Sequence, residues 1–189
     1  MNRDIHSWHS PRLNKQMEVA VYGHYGFALL LLPTAAADFL EYERFQLIDA
    51  IAPQINAGKV KVFSINSINA ESWLNLHMQP RHKAIRHQQF NEYVFEEVVP
   101  FIKNMTSDDT PIITCGASVG ALHSANLFFR RPDLFSGVIG MSGDYDLSTY
   151  TKGYHDQDVY FNSPVQYLPN LEDNGILSQI RRSNHIHIV

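Results

Sequence analysis

Apolar and polar positions alternate over Met17-Glu18-Val19-Ala20-Val21-Tyr22, which predicts a β-strand, and Gly23 and Gly26 bracket the turn that follows. Ala28 to Leu32 is a short continuous apolar run stopped by Pro33, the pattern of a central strand buried on both faces. Alternation returns at Lys59 to Ile65. Pro111 to Cys115 and Gly137 to Met141 read as two further buried strands, and His185 to Val189 as a last one.

Helical spacing separates these strands. Phe45, Leu47, Ile48 and Ile51 predict a helix over 41–51, with Pro53 just beyond it. Phe90, Val94 and Val98 recur every four residues in a long helix over 84–99, broadened by Tyr93 and Phe101, and Pro100 should kink or end it. A helix is predicted over 118–130 and a short one over 176–181; 150–170, with Pro164 and Pro169, reads as loop. Strands alternating with helices define an α/β protein with a mostly parallel sheet, whose functional residues belong on loops at the carboxyl ends of strands.

Composition narrows the function. The chain has 189 residues and is 44% hydrophobic, without repeats or linkers, so residues 1–189 are expected to form one domain. At this length roughly 70% of the unfolded surface can be buried without disulfides or metals. Fifteen Lys+Arg against nineteen Asp+Glu give a net charge of −4, which excludes a generally basic nucleic-acid binder. The polar segment 1–11 lacks the apolar core of a signal peptide, and the longest apolar run is too short to span a bilayer. The expectation is a cytoplasmic protein with no membrane or nucleic-acid partner. The lone Cys115 ends a buried strand and reads as inert core.

One strand end carries chemistry. Gly116-Ala117-Ser118-Val119-Gly120 matches G-x-S-x-G between a predicted strand and a predicted helix. A sharp turn there lifts the Ser118 hydroxyl out of the sheet and sets it at a helix N-terminus, where the Val119 amide faces a developing oxyanion. Larger side chains at Gly116 and Gly120 would collide with backbone. The plainer alternative is a tight turn whose serine caps the helix. A second oxyanion donor is expected from the loop after Leu32, with the amide of Ala35 preferred; the alternative is that Ala35-Ala36-Ala37 begins a helix.

These residues resemble the esterase D-like family of α/β-hydrolases. Ser10-Pro11-Arg12-Leu13, Val21-Tyr22-Gly23-His24, Pro33-Thr34 with Glu41-Tyr42-Glu43, Ser72-Trp73, Glu96 to Pro100, and Arg131 to Phe135 are similar to successive blocks of that family, and the resemblance runs from about Trp8 to the end. It implies a three-layer α/β-hydrolase-like sandwich with a mostly parallel central sheet. It also implies a small-molecule ester or thioester substrate and no cofactor. The family carries its acid and histidine after later strands than this chain supplies. The resemblance therefore implies a form lacking its C-terminal part, with the last strand and helix absent.

From the remaining residues, Asp146 and His155 are the substitute acid and base on chain order alone; turn chemistry and a solvated loop are the alternatives for them. His24 either faces the site or is structural. Trp8 and Trp73 either line an acyl pocket or simply pack. His185 and His187 share a strand face, but two ligands do not make a zinc site, so no metal is expected. Three functions stay open: a serine ester hydrolase, an acyltransferase in which an alcohol replaces water, and a non-catalytic domain that binds a ligand or itself. An exposed last strand at 185–189 predicts a homo-oligomer through that edge.

Overall fold

A computed structural model describes residues 1–189. Seven strands form one sheet: β1 (Arg3–Ser10), β2 (Lys15–Tyr22), β3 (Phe27–Leu32), β4 (Val60–Ile65), β5 (Ile112–Ala117), β6 (Gly137–Met141) and β7 (Ile186–Ile188). Their order across the sheet is β1-β2-β4-β3-β5-β6-β7. The β1–β2 and β2–β4 pairs are antiparallel, and every pair from β4 onward is parallel. The central register aligns Leu30 with Phe63 on one side and Thr114 on the other.

The continuous apolar run of β3 is explained by two cores. Leu30 and Leu32 face one layer, together with Val19, Val21, Phe63 and Ile65 of the neighbouring strands. Leu29 and Leu31 face the opposite layer with Ala20, Tyr22 and Val62. Because successive side chains alternate faces, a strand covered on both must be apolar at every position. The first layer is closed by α2 (Pro80–Tyr93) with the turns that continue it and by α3 (Val119–Arg130). Phe90, Val94 and Val98, the expected stripe, are all buried there. The second layer is closed by α1 (Glu41–Arg44) and two short helices, Leu47–Ala50 and Ala52–Asn56. A further helix, α4 (Asn174–Arg182), precedes β7. No helix is long and apolar enough to cross a membrane.

Three local expectations are corrected. The single helix over 41–51 is three short ones, broken at Gln46, whose φ is +62°. The break leaves Phe45 exposed while Tyr42, Ile48 and Ile55 reach the sheet. Pro100 neither ends nor sharply stops its helix. The chain passes through a π-helical turn, Val94–Val98, and continues as helix over Val99–Met105. The wider turn accommodates the missing N–H and the ring of Pro100. Residues 150–170 are loop only in part: 152–156 and 162–163 are non-helical, but Gln157–Phe161 and Pro164–Tyr167 are short helices, with Pro164 at a first-turn position, where proline lacks no bond that the helix needs. The polar N-terminus, for which the sequence predicts no element, is strand β1, an edge strand that needs to bury only one face.

Candidate active site

β5 and α3 meet at a single residue. Ser118 has φ +53° and ψ −121°, a conformation that L-residues avoid, and its amide donates to the Met141 carbonyl of β6 at 2.9 Å. The side chain is exposed, although the residues on both sides along the strand and the helix are largely buried. Two close approaches shape this turn. A Cβ at Gly116 would lie 2.4 Å from the Gly120 carbonyl, and one at Gly120 would lie 2.3 Å from the Leu32 carbonyl oxygen. Both obstacles are backbone, so only glycine fits. Ser118 does not cap the helix with its side chain. The reading of this segment as an ordinary capped turn is therefore set aside.

The loop after β3 lies against the same turn, since Gly120 packs on Leu32 and Pro33. Ala35 to Ala37 does not begin a helix: Ala35 has φ +32° and is exposed in a turn. Several side chains hold the loop. Glu41 accepts from the Thr34 amide at 2.7 Å and also from its hydroxyl. Tyr42 donates to the Leu32 carbonyl at 2.7 Å, Ser67 to the Ala37 carbonyl at 2.9 Å, and Asn69 to the Ala35 carbonyl at 2.6 Å. The amides of Ala35 and Val119 donate to no group of the chain. Two unengaged N–H groups thus lie on two different segments, at the carboxyl ends of the adjacent parallel strands β3 and β5.

Asp146 and His155 are brought into one cluster by Gln166. The Gln166 amide donates to Asp146 Oδ1 at 2.7 Å, and its oxygen lies 3.1 Å from His155 Nε2. The amide group thereby orients itself, and Nε2 of His155 is the donor. Burial pushes the Asp146 carboxyl up, but hydrogen bonds from the Ser148 amide and Gln166 outweigh it and hold it below the usual carboxylate range. Neither Asp146 nor His155 is hydrogen-bonded to the other or to Ser118.

Other residues fall elsewhere. His24 precedes β3, at the opposite end of the parallel strands from Ser118, so it does not face the site. Trp8 lies on β1 against Tyr93 and Phe101 and donates to Glu97 at 2.7 Å. Trp73 is buried beside Leu122 and Leu147. Burial pushes the Cys115 thiol up to about 12, which keeps it protonated. No group of three or more His, Cys, Asp or Glu side chains is gathered as metal ligands. The sequence reading missed Asn69 and His123, which are buried and hydrogen-bonded to each other at 2.8 Å across 54 residues of chain. No local pattern signals such a pair.

No protein-family model matches this chain, and no curated protein matches it in sequence. Solved structures do match. An S-formylglutathione hydrolase from Agrobacterium tumefaciens superposes with a TM-score of 0.69 at 13% identity, over 100% of this chain and 88% of that one. A ferulic acid esterase superposes with a TM-score of 0.67 at 18% identity, over 95% of this chain and 75% of the other. The S-formylglutathione hydrolase of Staphylococcus aureus gives a TM-score of 0.61 at 15% identity, over 98% of this chain and 76% of that one. At these identities the likeness establishes the fold alone: a mostly parallel sheet between helical layers, as in the α/β-hydrolases.

Proposed function

We propose that the chain is a serine-dependent hydrolase of small carboxylic esters or thioesters. The observation that carries this reading is the strained, exposed Ser118 between two glycines that tolerate no side chain, and the unengaged amides of Val119 and Ala35 are the proposed oxyanion donors. In the reaction Ser118 Oγ attacks the acyl carbonyl as its proton passes to a base. The carbonyl oxygen becomes an oxyanion held by the two amides. Collapse expels the alcohol or thiol, which takes the proton, and water repeats the cycle on the acyl-enzyme. The names of the structurally similar hydrolases agree with ester and thioester chemistry.

Within the chain, His155 is the proposed base. Its Nε2 proton rests on Gln166, which leaves Nδ1 as the basic atom. Asp146 is the proposed acid, linked to it through Gln166, and productive contact with Ser118 requires a rearrangement of these loops. The absence of a histidine bonded to Ser118 favours one other reading, a non-catalytic binding domain. An acyltransferase would use the same serine and differ only in its acceptor. We place the reaction in the cytoplasm, where a lone thiol such as Cys115 stays reduced. We also propose pairing with a second copy through β7, whose outer edge is unpaired.

Hydrolysis of p-nitrophenyl acetate by the chain, Ser118→Ala and His155→Gln tests this reading. Turnover should vanish in Ser118→Ala and fall at least about 100-fold in His155→Gln. Turnover that survives in Ser118→Ala would refute the serine mechanism. No turnover in the parent chain would leave the binding domain as the better account.

A further inference from the structure

A line of buried polar groups runs between the helical layer and the loop that carries Ala35. Trp73, His87, His123 and Asn69 are each no more than 3% exposed. Their proton positions follow from chemistry. Trp73 Nε1 donates to His87 Nδ1 at 2.8 Å. An indole nitrogen can only donate, so Nδ1 of His87 is bare and the neutral ring carries its proton on Nε2. At the other end, Asn69 Nδ2 donates to the Ala35 carbonyl at 2.6 Å. That fixes the amide with Oδ1 toward His123 Nε2, 2.8 Å away. An amide oxygen can only accept, so His123 also carries its proton on Nε2, and its Nδ1 is bare.

Two ring atoms are then left over: a donor, His87 Nε2–H, and an acceptor, His123 Nδ1. Both are buried and have no hydrogen-bond partner. The two rings stand edge to face with centroids 4.5 Å apart. The leftover donor and acceptor therefore belong to adjacent rings. Burial holds both rings neutral, with His87 well below its ordinary value and His123 down at about 4. For His87 the nearby His123 and Arg130 add to the effect of burial.

Two hydrogen-bonded segments result, Trp73 to His87 and His123 through Asn69 to the Ala35 carbonyl, and they meet where the two rings pack edge to face. The second segment ends on the residue whose amide is the proposed second oxyanion donor. Ala35 needs such support, because φ of +32° is unfavourable for alanine. Glu41 holds the amide and hydroxyl of the preceding Thr34, and Asn69 holds the carbonyl of Ala35 itself.

We propose that Asn69 and His123 are positioning residues that aim the Ala35 N–H at the developing oxyanion, and that Trp73 fixes the His87 ring that packs against His123. The proposal rests on the hydrolase reading above. A donor misaimed by a fraction of an ångström loses most of its worth in the transition state but little in substrate binding.

The test combines nitrogen-resolved NMR of the histidine rings with kinetics on p-nitrophenyl acetate. Both His87 and His123 should be neutral with the proton on Nε2. Asn69→Ala should lower kcat by about 10- to 100-fold with KM within about threefold. Asn69→Ser serves if the alanine variant does not fold. His123→Leu should behave like Asn69→Ala, whereas His123→Gln, which can place an N–H where Nε2–H was, should recover most of kcat. A proton on Nδ1 of either ring would overturn the proposal. So would Asn69 variants with parental kcat in a chain that Ser118→Ala inactivates, and that outcome would leave the hydrolase reading standing. A parent chain without turnover would overturn both.

Discussion

Acid should destabilise this protein through its buried histidines, and His123 allows the size to be worked out. Its ring is fully enclosed between Asn69, Phe90 and His87, and burial lowers it from 6.5 to about 4. In the unfolded chain the same ring takes up a proton near 6.5. A depressed value in the folded state means that the unfolded state binds protons first. There is no penalty above 6.5, and the loss of stability grows as pH falls from 6.5 toward 4. At about pH 5 this one ring costs about 2 kcal/mol, a sizeable part of the roughly 5–15 kcal/mol that holds a domain together. His87 acts in the same direction.

The assay is urea unfolding at about pH 7.5 and about pH 5, for the parent chain and His123→Gln. Carboxylates contribute equally to both proteins and drop out of the comparison. The parent should lose about 2 kcal/mol more than the variant between the two pH values. Equal losses, within about 0.5 kcal/mol, would refute the claim that His123 is held neutral by burial.

Two other outcomes follow from the geometry. Gly120→Ala would place a Cβ 2.3 Å from the Leu32 carbonyl oxygen and 2.8 Å from that of Pro33. It should cost about 1–3 kcal/mol in urea unfolding and shift the Ala35 loop, and parental stability would contradict the packing described. Pairing through β7, whose Ile186 and Ile188 are 36% and 50% exposed, should give a concentration-dependent shift in size-exclusion elution. A constant monomer position across the range would rule it out.

Much of this architecture is legible in local patterns. The apolar run at 28–32 and the nearly apolar 112–115, where the buried Thr114 hydroxyl donates to the Ser124 carbonyl, report strands covered on both faces, because every position there must leave water. Gly116 and Gly120 around Ser118 report a turn too tight for a Cβ, and the backbone confirms that reason. Short-range periodicity misjudged elements whose shape depends on distant partners. The stripe at Phe45, Ile48 and Ile51 satisfied a helical spacing, yet the sheet draws in Tyr42 and Ile48 and leaves Phe45 in solvent. The segment at 150–170 looked like loop because its helices are short. Its stability comes from contacts such as Asn162, whose Oδ1 accepts from Asn91 at 2.6 Å, Asn126 at 2.7 Å and Arg130 at 3.0 Å.

By itself, then, the amino-acid order determined the central strands β2 to β6, the helix after Ser118, the strained position of Ser118, and the α/β class. Those features depend on the burial and backbone freedom of residues a few positions apart. The tertiary structure alone decided that β4 lies between β2 and β3, that Gln166 stands between Asp146 and His155, and that Asn69 joins the Ala35 loop to His123. Such pairings bridge dozens of residues. They arise because a buried polar group must find a partner wherever the packed chain presents one, and no local periodicity encodes that choice.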